Sequence, residues 1–131
     1  NSALEDEAKG AIDYDTDTFK TLLVTSSYTP DKDTHTRRSD VTNEVSGSGY
    51  TAGGATSACT VVKDTANDRV TLTFAAVSWA SATITARGAV IYKSTGTAAN
   101  DPLVGYVDFG ADVSRTAATF SLSASVITKQ N

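Results

Sequence analysis

The stretch ACTVVKDTANDRVTLTFA, residues 58–75, decides the fold class of this chain. In its second arm Val70, Leu72 and Phe74 alternate with polar residues, which is the period-two pattern of a strand with one buried face. The run DTAND between the two arms is rich in turn-forming residues. We therefore predict a β-hairpin with arms at residues 58–63 and 69–75.

The same kind of pattern extends outward in both directions from this hairpin. Residues 18–25 form a predicted strand that is apolar on both faces, with Phe19 and Leu23 on one side and Leu22 and Val24 on the other, so both faces should be covered. Further strands are predicted at residues 82–87, 89–93, 103–109 and 119–126. Together they indicate one all-β domain over residues 1–131, a β-sandwich or jelly roll of about seven to nine short strands.

Two segments depart from the strand pattern. Residues 1–12 are the one helix candidate, with Asn1 or Ser2 as the cap, acidic residues in the first turn and Gly10 near the end. Residues 26–57 form a long polar stretch in which we expect short strands or a functional excursion, because featureless loops of this length are uncommon in compact domains. Its run from Gly47 to Gly54 is predicted to be the most flexible part.

Composition excludes several classes of partner. The net charge is -4 and the sequence pI is about 4.7, which argues against binding nucleic acid. No apolar run is long enough for a membrane helix, so no membrane partner is expected. The single cysteine, Cys59, cannot form a disulfide within the chain and is predicted to be a small buried residue. Because the chain contains no methionine, we expect its native start to have been removed or to lie outside this sequence.

The local patterns that could carry chemistry do not complete a known site. Asp13, Asp15 and Asp17 resemble the start of a calcium loop, but an EF-hand needs glycine and glutamate where Thr18 and Val24 stand. The glycine run 47–54 lacks the lysine and the helix start of a phosphate-binding loop. We therefore predict no catalytic, cofactor-binding or metal-binding residues, no cofactor, and no enzymatic activity.

Two further residues are assigned structural positions. His35, the single histidine, stands in a polar loop without the features of a nucleophile triad, and we predict a surface position. Trp79 is predicted to lie in the core or to anchor an interface, in preference to stacking on a sugar.

Several segments in order resemble one family of small proteins. They are AIDYDTDTFKTLLV (residues 11–24), YTPDKDTH (28–35), EVSGSGYTAGG (44–54), AVIYKSTG (89–96) and LVGYVDFG (103–110). The chain resembles small structural proteins of the virions of tailed bacteriophages over nearly its whole length, with residues 1–9 matching least.

This resemblance implies a capsid decoration, or cement, protein with a sandwich body. The implied partner is the major capsid protein or another virion protein, and the implied location is the phage particle, on the exterior of the head. We expect a homo-oligomer or a protein bound in copies on a lattice. The alternatives are a tail or fibre component and a carbohydrate- or receptor-binding sandwich module.

Overall fold

A computed structural model describes residues 1–130 and shows an all-β sandwich, as predicted, with 51% of the residues in strands. The elements are α1 (Ser2–Ala8), β1 (Phe19–Val24), β2 (Ala55–Thr56), β3 (Cys59–Asp64), β4 (Arg69–Phe74), β5 (Val77–Lys93), β6 (Leu103–Leu122) and β7 (Ser125–Gln130). Short 3₁₀ turns lie at Arg38–Asp40 and Ala98–Asn100. Among residues 1–130 we find no helix with the length and apolar character needed to cross a membrane.

The strands form two antiparallel sheets. A four-stranded sheet has the order β2-β1-β5-β6, and a three-stranded sheet has the order β3-β4-β7. The predicted hairpin of residues 58–75 is confirmed as β3 and β4, with Cys59 opposite Phe74 and Asp64 opposite Arg69. β7 then pairs with the free side of β4, from Phe74 opposite Ser125 to Arg69 opposite Gln130.

The core lies where the two sheets face each other. Phe19 and Ile91 of the four-stranded sheet pack against Leu72 and Phe74 of the three-stranded sheet, and all four are at most 3% exposed. Tyr14 adds its ring against Phe19, with centroids 5.6 Å apart. This contact between the sheets explains why the alternating residues of β4 are apolar on one side.

The other face of the four-stranded sheet is covered by the polar stretch 26–57. Leu22, Val90 and Tyr92 on that face pack with Tyr28 of the stretch, which is 6% exposed. The prediction that both faces of β1 are covered is therefore confirmed. The stretch also contains β2 and a bridge from Glu44 to Val24, so it is a packed cover with little regular structure.

The strands predicted at residues 82–87 and 89–93 are one strand, so that prediction is wrong. β5 runs for 17 residues through Gly88, and β6 runs for 20 residues beside it, so these two strands are not short. Gly88 does not break the strand. It makes room for the ring of Tyr106, because a Cβ atom at position 88 would lie 2.4 Å from the tyrosine hydroxyl.

The last predicted strand, residues 119–126, is also wrong in its bounds. β6 ends at Leu122, and the chain then crosses to the other sheet before β7 begins at Ser125. Phe120 is buried as predicted, whereas Val126 is 58% exposed. Where the chain crosses between the sheets, the side of the chain that faces the core changes. The alternation of apolar and polar residues along the sequence continues through this crossing without a break, so the sequence does not reveal it.

The predicted helix over residues 1–12 is too long, since α1 ends at Ala8. Gly10 has a φ of +74°, its N–H donates to the carbonyl of Glu7 at 3.0 Å, and the N–H of Ala11 donates to that of Asp6 at 2.7 Å. This pair of bonds is the Schellman motif, which terminates helices. Leu4 of this helix is 61% exposed.

Candidate functional site

The aspartates predicted to resemble a calcium loop form a turn. The N–H of Asp15 donates to Asp13 at 3.0 Å, and the N–H of Asp13 donates to Asp17 at 2.7 Å. The hydrogen bond from Asp15 holds the pKa of Asp13 below its usual value. Lys93 pairs with Asp17 at 2.8 Å. In the described residues we find no group of three or more potential ligands placed to hold a metal ion.

The glycine run from Gly47 to Gly54 is packed closely against the sheets. A Cβ atom at Gly49 would lie 2.8 Å from the carbonyl oxygen of Ala80, and one at Gly54 would lie 1.9 Å from that of Thr21. The run was predicted to be the most flexible part of the chain. Its glycines instead permit a close approach of backbone to backbone, a role that the sequence pattern does not distinguish from flexibility.

A buried polar cluster fastens this run to the body. The Tyr50 hydroxyl donates to Glu44 at 2.6 Å and accepts from the N–H of Leu23 at 3.0 Å. Burial, and then the bond to Glu44, raise the pKa of Tyr50. Its ring packs on Trp79, with centroids 5.4 Å apart, and Trp79 is 6% exposed. Trp79 was predicted to lie in the core or to anchor an interface, and the structure places it in the core.

His35 is half-buried, which corrects the prediction of a surface position. Its Nδ1 is 3.0 Å from the hydroxyl of Tyr28, and the two rings stack with centroids 5.6 Å apart. Both residues line a cavity of about 150 Å³ together with Val90 and Tyr106. Pockets for small molecules typically have volumes of about 300 Å³ or more, so this cavity is too small for most ligands.

Cys59 is half-buried against the core between the sheets. Burial raises the pKa of its thiol, and the nearby charge of Asp15 adds to this effect. A raised pKa leaves less thiolate at neutral pH, so the residue behaves as a small apolar side chain. Its predicted structural role agrees with this position, although its burial is partial.

The surface best suited to binding is the outer face of the three-stranded sheet. We call it the threonine–valine face. It consists of one row across the sheet, Thr60, Thr73 and Val126, and a second row, Val62, Thr71 and Thr128. These residues share a side because residues directly opposite in an antiparallel pair project to the same face.

The two rows of the threonine–valine face are uncharged and open. Val62 and Val126 are 51% and 58% exposed. The register is continuous along both strand pairs, so the side chains form a regular two-by-three array. Charged residues stand at one end, where Asp64 and Arg69 pair with each other at 2.9 Å. β-branched side chains in such an array offer methyl groups for apolar contact and hydroxyls for hydrogen bonds.

Sequence reasoning missed this face. Its signal is present in β3, β4 and β7, where most of the residues facing away from the core are threonine and valine in place of the charged residues usual on an outer face. Recognising it requires knowing which three strands lie side by side. The sandwich therefore presents an open outer sheet face.

Aromatic side chains do not form a platform on the surface. Within residues 1–130 every phenylalanine, tyrosine and tryptophan is buried or half-buried. A sugar-binding module of this architecture would stack its ligand on an exposed ring, so the geometry gives this alternative no support.

No family model matches this chain, and no curated protein or solved structure is significantly similar to it.

Proposed function

We propose that this chain is a structural protein of a bacteriophage virion, and that it binds the assembled head shell as a decoration protein. The partner is the major capsid protein, and the contact surface is the threonine–valine face. The observation that carries the proposal is this open, uncharged, regular array on a protein that otherwise has a net charge of -4. The resemblance of several segments to virion structural proteins of tailed phages supports the same reading.

The character of the face suits contact with another protein. Desolvating valine and threonine methyl groups is favourable, and no charge in the two rows has to be stripped of water. Exposed apolar side chains gathered on one flat surface commonly mark interaction sites.

A face of six side chains is smaller than the roughly 800 Å² per partner of a stable complex. One contact would therefore be weak, and repeated copies on a symmetric shell would compensate by stabilising the assembled state at many sites. A ligand that binds only the assembled state stabilises it by about 2.7 kcal/mol per site at a hundredfold excess over its dissociation constant. The temperature at which the shell opens should then rise.

The test uses phage particles that lack this protein. Purified protein is added back, and both binding to heads and heat-induced release of the genome are measured. Three forms are compared: the wild type, Val126→Lys on the face, and Leu4→Lys on α1 as a matched control, since Leu4 is also exposed, at 61%. We expect the wild type and the control to bind heads and raise the release temperature, and Val126→Lys to do neither.

Some outcomes would contradict the proposal. Binding to tails alone would favour a tail or fibre component. Equal release temperatures for bare and saturated heads, or equal binding by Val126→Lys and the wild type, would remove the role assigned to the face. Comparable affinity for unassembled capsid subunits would show that the protein does not select the assembled shell.

A further inference from the structure

The two sheets differ in how their edges are protected. The longest edge strand, β6, is interrupted: Ser81 of β5 and Ala117 of β6 have positive φ angles of 50° and 46°, and the register also shifts between Ala86 and Gly88. Bulges of this kind disrupt an edge and oppose pairing with another chain. The edge formed by β2 is only two residues long.

The edge formed by β3 has neither a bulge nor the short length of β2, and its charged residues, Lys63 and Asp64, are confined to one end. All six residues of β3 pair with β4 in continuous register, and the strand contains no proline. Val61 and Val62 are 39% and 51% exposed and project to opposite sides of the strand. An exposed, regular edge strand with a valine on each side at its centre is a template for a further strand, because alternate residues direct N–H and C=O groups outward.

We propose that two copies of this chain pair through their β3 strands. The strands run antiparallel and are related by a two-fold axis that lies midway between Val61 of one copy and Val61 of the other. The paired strands join two three-stranded sheets into one of six strands. Residues that stand opposite each other across the two copies must project to the same face of the joined sheet. The axis must therefore lie level with one residue of β3, so that this residue stands opposite its own counterpart, and not level with the peptide bond between two residues. This register places Val61 opposite its counterpart, Thr60 opposite Val62, and Cys59 opposite Lys63.

The residues of β3 favour this register over the one with the axis at Val62. With the axis at Val61, the central pairs are all β-branched, Lys63 stands at the end of the paired segment opposite Cys59, and Asp64 lies beyond it. With the axis at Val62, Lys63 would stand directly beside the central pair, opposite Val61, and Asp64 would be brought into the paired segment opposite Thr60.

Pairing through β3 also has a consequence for the threonine–valine face. A two-fold axis perpendicular to the sheet leaves both copies facing the same way, so the dimer presents a continuous face of twelve side chains. This consequence rests on the proposed function, whereas the pairing of β3 does not. A six-residue strand contact is small, and we expect a weak dimer whose population rises with concentration.

Sedimentation velocity over a range of concentrations tests the dimer. Val61→Lys would place two ammonium groups opposite each other at the axis, and its side chain lies on the inner side of the strand, away from the threonine–valine face. Val126→Lys on β7 is the matched control. We expect the dissociation constant to rise at least about tenfold in Val61→Lys and to stay unchanged in Val126→Lys. Thermal melts of both variants verify folding.

Cross-linking tests the register. In a Cys59→Ser background, Val61→Cys brings two thiols opposite each other with Cβ atoms about 4.5–5.5 Å apart, while Val62→Cys leaves them on a diagonal. Mild oxidation should give a covalent dimer with Val61→Cys and little with Val62→Cys.

A wild-type chain that stays monomeric up to about 1 mM, a dimer lost in Val126→Lys, or faster cross-linking through Val62→Cys would each overturn the proposal. Because Val61→Lys leaves the threonine–valine face intact, it separates the two ideas. Head binding that fails in the wild type while the dimer persists would refute the proposed function alone.

Discussion

At the scale of single residues, two glycines in the left-handed region have different reasons to be glycine. Gly54 (φ +79°) and Gly96 (φ +95°) both have positive φ angles. A Cβ atom at Gly54 would lie 1.9 Å from the Thr21 carbonyl oxygen, whereas a Cβ atom at Gly96 would have no neighbouring atom within 4 Å. We expect Gly96→Ala to cost about 1–2 kcal/mol through its φ angle alone. Gly54→Ala should cost at least about 2 kcal/mol more because of the steric clash. Equal unfolding free energies in urea would contradict this.

Asp101 is the second residue with a testable role. It is 1% exposed and accepts hydrogen bonds from Arg38 at 3.0 Å and from the Thr95 hydroxyl at 2.7 Å. Burial alone would raise its pKa, but the bonds from Thr95 and Arg38 outweigh burial and hold the pKa below its usual value of 3.8. Asp101→Asn should lower the free energy of unfolding by about 2–4 kcal/mol at pH 7.

The sign of the pH dependence follows from the lowered pKa. Because the folded state holds the carboxylate ionised, the stabilisation by Asp101 is complete above pH 3.8 and is lost as the pH falls through the folded-state pKa. The difference between the wild type and Asp101→Asn should therefore shrink in acid, measured by denaturation at several pH values. Asp108→Asn is the control, since Asp108 is an exposed carboxylate paired with Arg87, and its effect should be small at any pH.

At the scale of elements, α1 is held by charge. Arg37 donates to both carboxylate oxygens of Asp6, at 2.7 and 3.3 Å, and Lys129 donates to Glu7 at 2.7 Å. A helix of seven residues is unstable alone, so these bonds maintain it. Arg37→Ala should speed hydrogen exchange in α1 and leave β5 unchanged. Lys9→Ala, which removes an exposed ion pair with Glu5, is the control. Equal exchange rates in the two variants would show that the bonds from Arg37 to Asp6 do not hold α1.

At the scale of the whole molecule, the long hairpin of β5 and β6 links the parts of the core. Its residues reach the cluster around Trp79 and, through Ile91, the cluster between the sheets that includes Cys59. We expect one cooperative unfolding transition. Tryptophan fluorescence and the accessibility of the Cys59 thiol should give the same midpoint in denaturant. A thiol that becomes accessible well before the fluorescence changes would show that the three-stranded sheet separates first.

The sequence by itself determined the all-β class, the hairpin of β3 and β4, and the covered faces of β1. Each follows from local alternation or from turn-forming residues, which act over a few positions. The helix end at Gly10 could also be anticipated, although its exact position depends on the two hydrogen bonds that close the Schellman motif.

The tertiary structure alone decided the rest. From the sequence, Gly88 could end a strand or could allow another group to lie close to the backbone. The position of the Tyr106 ring against Gly88 shows that the second is the case. The alternation around Val126 reads as one buried strand, but the chain changes sheets there and exposes the valine. The threonine–valine face and the open edge of β3 exist only after β3, β4 and β7 lie side by side, because a shared surface depends on strand order and register. These are contacts between distant parts of the chain, which local patterns do not encode.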